Sequence, residues 1–197
     1  MSDFVEKVRR RAAETVATQS SFFDVSARAI VDCARALDVA FARGGRLFTF
    51  GCGGSAADAQ HAAVEFAHPV FERRRAIPAF ALPNDVAHLT ALGNDRDFSL
   101  VFADRLRVLA KKGDVALALT TSGKSPSVVR GLSAAREIGM VTVAFSGRDG
   151  GKLAGVAEHH FIVPSFSVHR IQEAHLTLVH VLWDLVHVLR GEEDTVG

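Results

Sequence analysis

RLFTFGCGGSAADAQHAAVEFAH (46–68) decides the reading of the fold. RLFTF (46–50) is a short apolar run, the glycines of GCGGS (51–55) permit a tight turn, and a helical stretch runs from Ser55 to about His68. Strand, glycine turn and helix in that order form the first half of a βαβ unit. Working outward, AFAL (79–82), VALAL (115–119), VTVAF (141–145) and HFIV (160–163) are further short apolar runs, as expected of strands buried on both faces of a parallel sheet. Helical stretches at 85–93, 97–111 and 126–138 separate them. The alternation predicts an α/β fold with a doubly wound, mostly parallel five-stranded sheet.

Helices flank this core. From Phe4 to Phe41 the apolar residues recur at helical spacing before Gly44 and Gly45, which predicts two helices divided near Ser20 to Asp24. Leu176 to Leu189 is interrupted by His180, Asp184 and His187 and falls short of the roughly 18 apolar residues of a membrane span. A helix apolar on most of its circumference needs burial on several sides, which suggests subunit contact. The prolines Pro69, Pro78, Pro83, Pro126 and Pro164 are scattered and no linker is evident. The reading is one domain over 1–197: a helical arm (1–44), an α/β core (45–165) and a C-terminal helix (166–197).

The 197 residues are 48% hydrophobic and 23% charged, proportions that argue against disorder and repeat arrays. Lysine plus arginine is 23 against 22 acidic residues, a net charge of +1 that disfavours nucleic acid as a partner. With two cysteines, Cys33 and Cys52, and an N-terminus of mixed charge, the expected location is the cytoplasm, with no membrane partner.

Two loops have the composition to hold an anion. In Gly51-Cys52-Gly53-Gly54-Ser55 the backbone N–H groups lie near a helix start, with Ser55 expected as the helix cap. Gly51, Gly53 and Ala56 also fit the dinucleotide pattern G-x-G-x-x-A, but no acidic residue stands at the distance a ribose would require. The second loop, Thr120-Thr121-Ser122-Gly123-Lys124-Ser125, is rich in hydroxyls and precedes Pro126, yet lacks the first glycine of a nucleotide P-loop. Both sit at carboxyl ends of strands, where open α/β sheets bind ligands, so they can converge on one phosphate.

His61 and Glu65 are four apart on one helix face, able to share a divalent metal ion, to act as base and acid, or simply to pair with each other. Gln172, Glu173, His175 and His180 lie on the otherwise apolar final helix. Gln172 and His180 are about 12 Å apart along that helix, so if both approach one ion, two subunits supply them.

Taken together, Gly51-Cys52-Gly53-Gly54-Ser55-Ala56-Ala57-Asp58-Ala59-Gln60-His61, Glu65, Gly93-Asn94-Asp95, Thr121-Ser122-Gly123-Lys124-Ser125, Asp149-Gly150-Gly151 and Arg170-Ile171-Gln172-Glu173 resemble the phosphoheptose isomerases, a family of sugar isomerase (SIS) domain proteins. The resemblance spans nearly the whole chain in order. It implies a flavodoxin-like sheet and terminal helices used to form a homotetramer with active sites between subunits. The implied reaction converts D-sedoheptulose 7-phosphate to D-glycero-D-manno-heptose 7-phosphate. It further implies Zn²⁺ on His61, Glu65, Gln172 and His180, with Glu65 as general base and His180 as its partner acid. Substrate contacts fall on Gly53, Gly54, Ser55, Asn94, Asp95, Thr120, Thr121, Ser122, Ser125 and Gln172.

Three positions depart from the family pattern: Cys52 replaces an asparagine, Pro69 an arginine and His169 an aspartate. Arg73, Arg74 and Arg75 are candidates to restore the missing cation, the alternative being a solvated basic turn. A second reading is the non-catalytic branch of the family, a tetrameric adaptor for the replication initiator protein. That branch lacks the glutamate and second histidine, so Glu65 and His180 favour the enzyme.

Overall fold

The computed structural model describes residues 2–71 and 73–194. The apolar runs form β1 (Leu47–Gly51), β2 (Ala79–Ala81), β3 (Val115–Leu119), β4 (Val141–Gly147) and β5 (His159–Val163). All pairings are parallel, in the order β2-β1-β3-β4-β5. Leu47 registers with both Ala79 and Val115, and Val115 with Val141. β1 and β3 are buried along their whole length, which is why their sequences carry no polar alternation. Leu82 leaves the β2 edge in a 3₁₀ turn with Pro83, which has no N–H to donate to a sheet.

Helices cover both faces. On one, α1 (Ser2–Ala42), α2 (Gly54–Ala67) and α6 (Val168–Leu189) bury Leu47, Leu117, Leu119, Val143 and Phe145. On the other, α4 (Val101–Leu109) and α5 (Pro126–Ile138) pack on Phe48, Phe50, Ala116, Ala118 and Ala144, and α3 (Val86–Asp95) packs on α4. The stretch expected as one helix over 97–111 starts instead as a 3₁₀ turn capped by Asp97, whose carboxylate accepts from Ser99 N.

The N-terminal arm is a single helix rather than two. Ser20 to Asp24 contains neither Gly nor Pro, so nothing breaks the hydrogen-bond ladder there. Phe22 is fully buried at that point, and the Thr177 hydroxyl of α6 donates to Gln19 Oε1. Arg170 of α6 extends the seam by donating to Thr15 Oγ1. Among the described residues, no helix is long and apolar enough to cross a membrane.

Asp114 ties the amino ends of β1 and β3 together. Its side chain is fully buried and accepts from Arg46 Nη2 at 2.7 Å, Arg46 N at 2.9 Å and Lys111 N at 2.9 Å. Burial alone would raise its pKa, but the bonds from Arg46 and Lys111 outweigh that and hold it below the usual carboxylate value. Asp114→Ala is expected to cost about 3 kcal/mol in urea unfolding, because Arg46 and two backbone N–H groups lose their acceptor. A depressed pKa stabilises the fold above the unfolded value of about 4 and loses that contribution as pH falls through the folded value. The stability gap between wild type and Asp114→Ala should therefore narrow progressively as pH falls below about 4.

Candidate active site

Both glycine- and hydroxyl-rich loops leave the carboxyl edge of the sheet from neighbouring strands, β1 and β3. Gly51 pairs with Leu119, and a methyl on Gly51 would lie 2.8 Å from the Leu119 carbonyl oxygen, so only glycine allows this close approach. Gly53, with φ 61 and ψ −127, takes the capping position of α2 in a backbone region that glycine alone enters freely. Ser55 is not the cap: it is the second residue of the helix, buried, and makes no capping bond. The turn needed the left-handed residue, so the cap moved to Gly53.

The two loops meet, as expected. Cys52 Sγ lies 3.3 Å from Ser127 Oγ and 3.8 Å from Ser125 Oγ, and the two serine hydroxyls are 3.1 Å apart. Ser125 occupies the N-cap position of α5 without spending its hydroxyl on a capping bond. Thr120 is buried with its N–H on the Phe145 carbonyl, while Thr121 and Ser122 are half-buried at the edge. The product is a rim of hydroxyls beside two helix starts, a chemistry suited to an anion.

One turn and more along α2 stands a second group. His61 Nε2 lies 2.8 Å from His180 Nε2 and 3.4 Å from Glu65 Oε1. One ligand atom from each of the three residues falls within 4.8 Å of the others. Two nitrogens and a carboxylate oxygen at this spacing fit a zinc-type cation, and the same groups can pass a proton. All three belong to one chain.

Gln172 does not join them. It sits against Gly54, where a methyl would come within 3.1 Å of its Cδ, two helical turns from His180. α2 and α6 thus run side by side in the same direction, matching Gly54 to Gln172 and His61 to His180. Asn94 and Asp95 are exposed at the end of α3 and bonded to each other, Asn94 Nδ2 to Asp95 Oδ1 at 2.8 Å, on an element packed against α4. His169 is exposed near the start of α6.

Among the three arginines, Arg74 is a structural anchor. Its guanidinium is buried, bonds Asp184 at 2.5 Å and lies 4.4 Å from the centre of the Trp183 ring. Arg73 is exposed and pairs with Glu193 at 3.6 Å. They line a cavity of about 620 Å³ beyond the far end of α2, roughly 20 Å along that helix from the loops, so they do not reach the hydroxyl rim of their own chain.

Two residues went unassigned in the sequence. Asp58 lies one turn before His61 on the same face, and burial pushes its carboxyl up to about 6 against the opposing pull of His61. The spacing 58, 61, 65 was the available signal. Ser127, buried at the second position of α5, completes the contact with Cys52, and the Ser-x-Ser spacing across Pro126 was its only trace.

Residues 3–147 match the family model described as the SIS domain. A phosphoheptose isomerase of Aquifex aeolicus is 46% identical over 182 residues, 92% of this chain and 95% of that protein. One from Thermodesulfovibrio yellowstonii is 38% identical, covering 92% and 90%. Among solved structures, phosphoheptose isomerase GmhA from Neisseria gonorrhoeae superposes with a TM-score of 0.87 at 34% identity, covering 93% of this chain and 98% of its own. A phosphoheptose isomerase from Francisella tularensis superposes at 0.89 with 29% identity and the same coverage. With the parallel sheet, the converging loops and the His61–Glu65–His180 group already in hand, these likenesses show that the chain belongs to the phosphoheptose isomerase family of SIS-domain proteins.

Proposed function

We propose that the chain is a cytoplasmic sugar phosphate isomerase that interconverts D-sedoheptulose 7-phosphate and D-glycero-D-manno-heptose 7-phosphate. The observation that carries the reading is the meeting of His61, Glu65 and His180, since a bound ketose phosphate needs a base and an acid held close together. The hydroxyls of Ser55, Thr120, Thr121, Ser122 and Ser125, with the backbone of Gly53 and Gly54, hold the phosphate. Asn94, Asp95 and Gln172 contact the sugar.

Glu65 removes the proton from carbon 1 of the ketose, leaving an enediolate, and returns it to carbon 2. His180 moves the hydroxyl proton from oxygen 1 to oxygen 2, so the carbonyl migrates with no net gain or loss. The donor set His61, Glu65 and His180, with Gln172 from a neighbouring copy, suits Zn²⁺. When bound, such an ion polarises the substrate oxygens and stabilises negative charge. The need for a second copy supports a homotetramer with sites between subunits, built on the terminal helices. The adaptor reading is not favoured, because both residues whose loss marks it are present and in contact range.

Incubation with a panel of ketose phosphates, with product aldose read by NMR, is expected to yield turnover on sedoheptulose 7-phosphate; no isomerisation of any member would defeat the reading. Glu65→Gln should lower kcat by at least about a hundredfold while sugar phosphate affinity by calorimetry changes little. Full activity in that variant would remove Glu65 from the proton path. Chelation should lower both activity and Tm, and elemental analysis should find zinc; a metal-free, fully active and equally stable protein would exclude the metal role.

A further inference from the structure

The loop after β4 lies directly against the hydroxyl loop after β3. A methyl on Gly123 would come within 2.6 Å of the Gly150 carbonyl carbon, and one on Gly151 within 2.6 Å of the Ser122 carbonyl oxygen. Contact this tight between two backbones leaves no room for a side chain on either. Lys152 N donates to the Gly123 carbonyl at 2.8 Å, and Lys124 Nζ pairs with Asp149 Oδ2 at 3.4 Å. Asp149 also turns its other oxygen inward, accepting from Gly151 N at 3.1 Å.

The geometry carries a cost. Gly123, Gly150 and Gly151 all have positive φ, and so does Arg148, at 60°, the one described residue other than glycine to do so. A left-handed arginine is disfavoured by the clash of its Cβ with the backbone and persists only where its surroundings fix it. Here Arg148 N donates to the Ser165 carbonyl at 3.0 Å, and Gly147 packs against Ile171 of α6 and the Thr121 carbonyl. The β4 loop is thus held from behind by the start of α6 and presses its glycines onto the hydroxyl loop in front.

We propose that the 147–151 loop is a clamp that holds the Thr120–Ser125 loop in its anion-accepting shape, with Asp149 and Gly151 as positioning residues for substrate phosphate. The inference rests on the reading of that hydroxyl loop as the phosphate site. It makes a counterintuitive demand on sign. Asp149 is a negative charge beside an anion site that also ties down Lys124, so by charge alone its removal strengthens phosphate binding. A clamp requires the opposite: without Asp149 the loop loosens and its hydroxyls and N–H groups no longer converge.

Asp149→Ala decides between the two, measured on the full-length protein for inorganic phosphate affinity by calorimetry, for KM and kcat on the sugar phosphate, and for Tm. Phosphate binding is expected to weaken at least about fivefold and KM to rise in parallel, with kcat within about twofold and Tm little changed. Asp149→Asn, whose side-chain oxygen still accepts from Gly151 N, should recover most of the loss. Unchanged or tighter phosphate binding in Asp149→Ala overturns the clamp. Ser122→Ala separates the two levels: if it weakens phosphate binding while Asp149→Ala does not, only the clamp falls. If neither variant changes phosphate affinity, the phosphate reading of the loop falls as well. Gly151→Ala should reproduce the weakening; should it fail to fold, Asp149→Ala still distinguishes a clamp from a simple charge effect.

Discussion

The close packing of α2 on α6 is the constraint on which the candidate site depends. The face of α2 buried in the molecule is made of Ser55, Ala59, Ala62, Ala63 and Phe66. Gly54 meets Gln172 at the start of the two helices, and their continued approach puts His61 against His180 across 119 residues of sequence. Thr49, buried in the sheet beneath, donates its hydroxyl to the Ala59 carbonyl at 2.6 Å and holds α2 at its height over β1.

The sheet supplies the second coordinate. Because β1 and β3 are adjacent and parallel, the loops that follow them emerge at the same edge and face one another, and the Cys52–Ser127 contact is the point where they touch. Cys52, the position read from the sequence as a departure from the family pattern, therefore falls at the junction of the two loops. The opposite edge is secured by Asp114 and Arg46, which fix the starts of the same two strands. Polar anchoring at one end and glycine-permitted approach at the other separate the stabilised edge of these two short strands from the edge proposed to bind phosphate.

The far ends of α2 and α6 are held by different chemistry. Arg74 is stacked on Trp183 and paired with Asp184, and His187, fully buried, bonds Glu192 at 2.7 Å. Arginine suits such a position because a planar, weakly hydrated cation can stack and pair at once. Asp184 lies one turn beyond His180, so the same ion pair that closes this end of the molecule also steadies the turn of α6 that carries the histidine.

The order of elements, the parallel sheet and both loops were legible in the residues because they are local: apolar runs of strand length, glycines where turns must tighten, hydroxyls ahead of Pro126. The pair His61 and Glu65 was legible for the same reason, being one helical turn apart. The unbroken α1 follows in part from the absence of Gly and Pro between Ser20 and Asp24; tertiary structure added the burial of Phe22, which outweighs the weak helix preference of Ser20, Ser21 and Asp24. Tertiary structure also decided that Gln172 faces Gly54 while His180 reaches His61, that Arg74 is an anchor rather than a ligand contact, and that Gly151 bears on Gly123. Each of these is a meeting of residues far apart in the chain, and such meetings follow from how helices seat on a sheet, which no short window of sequence encodes.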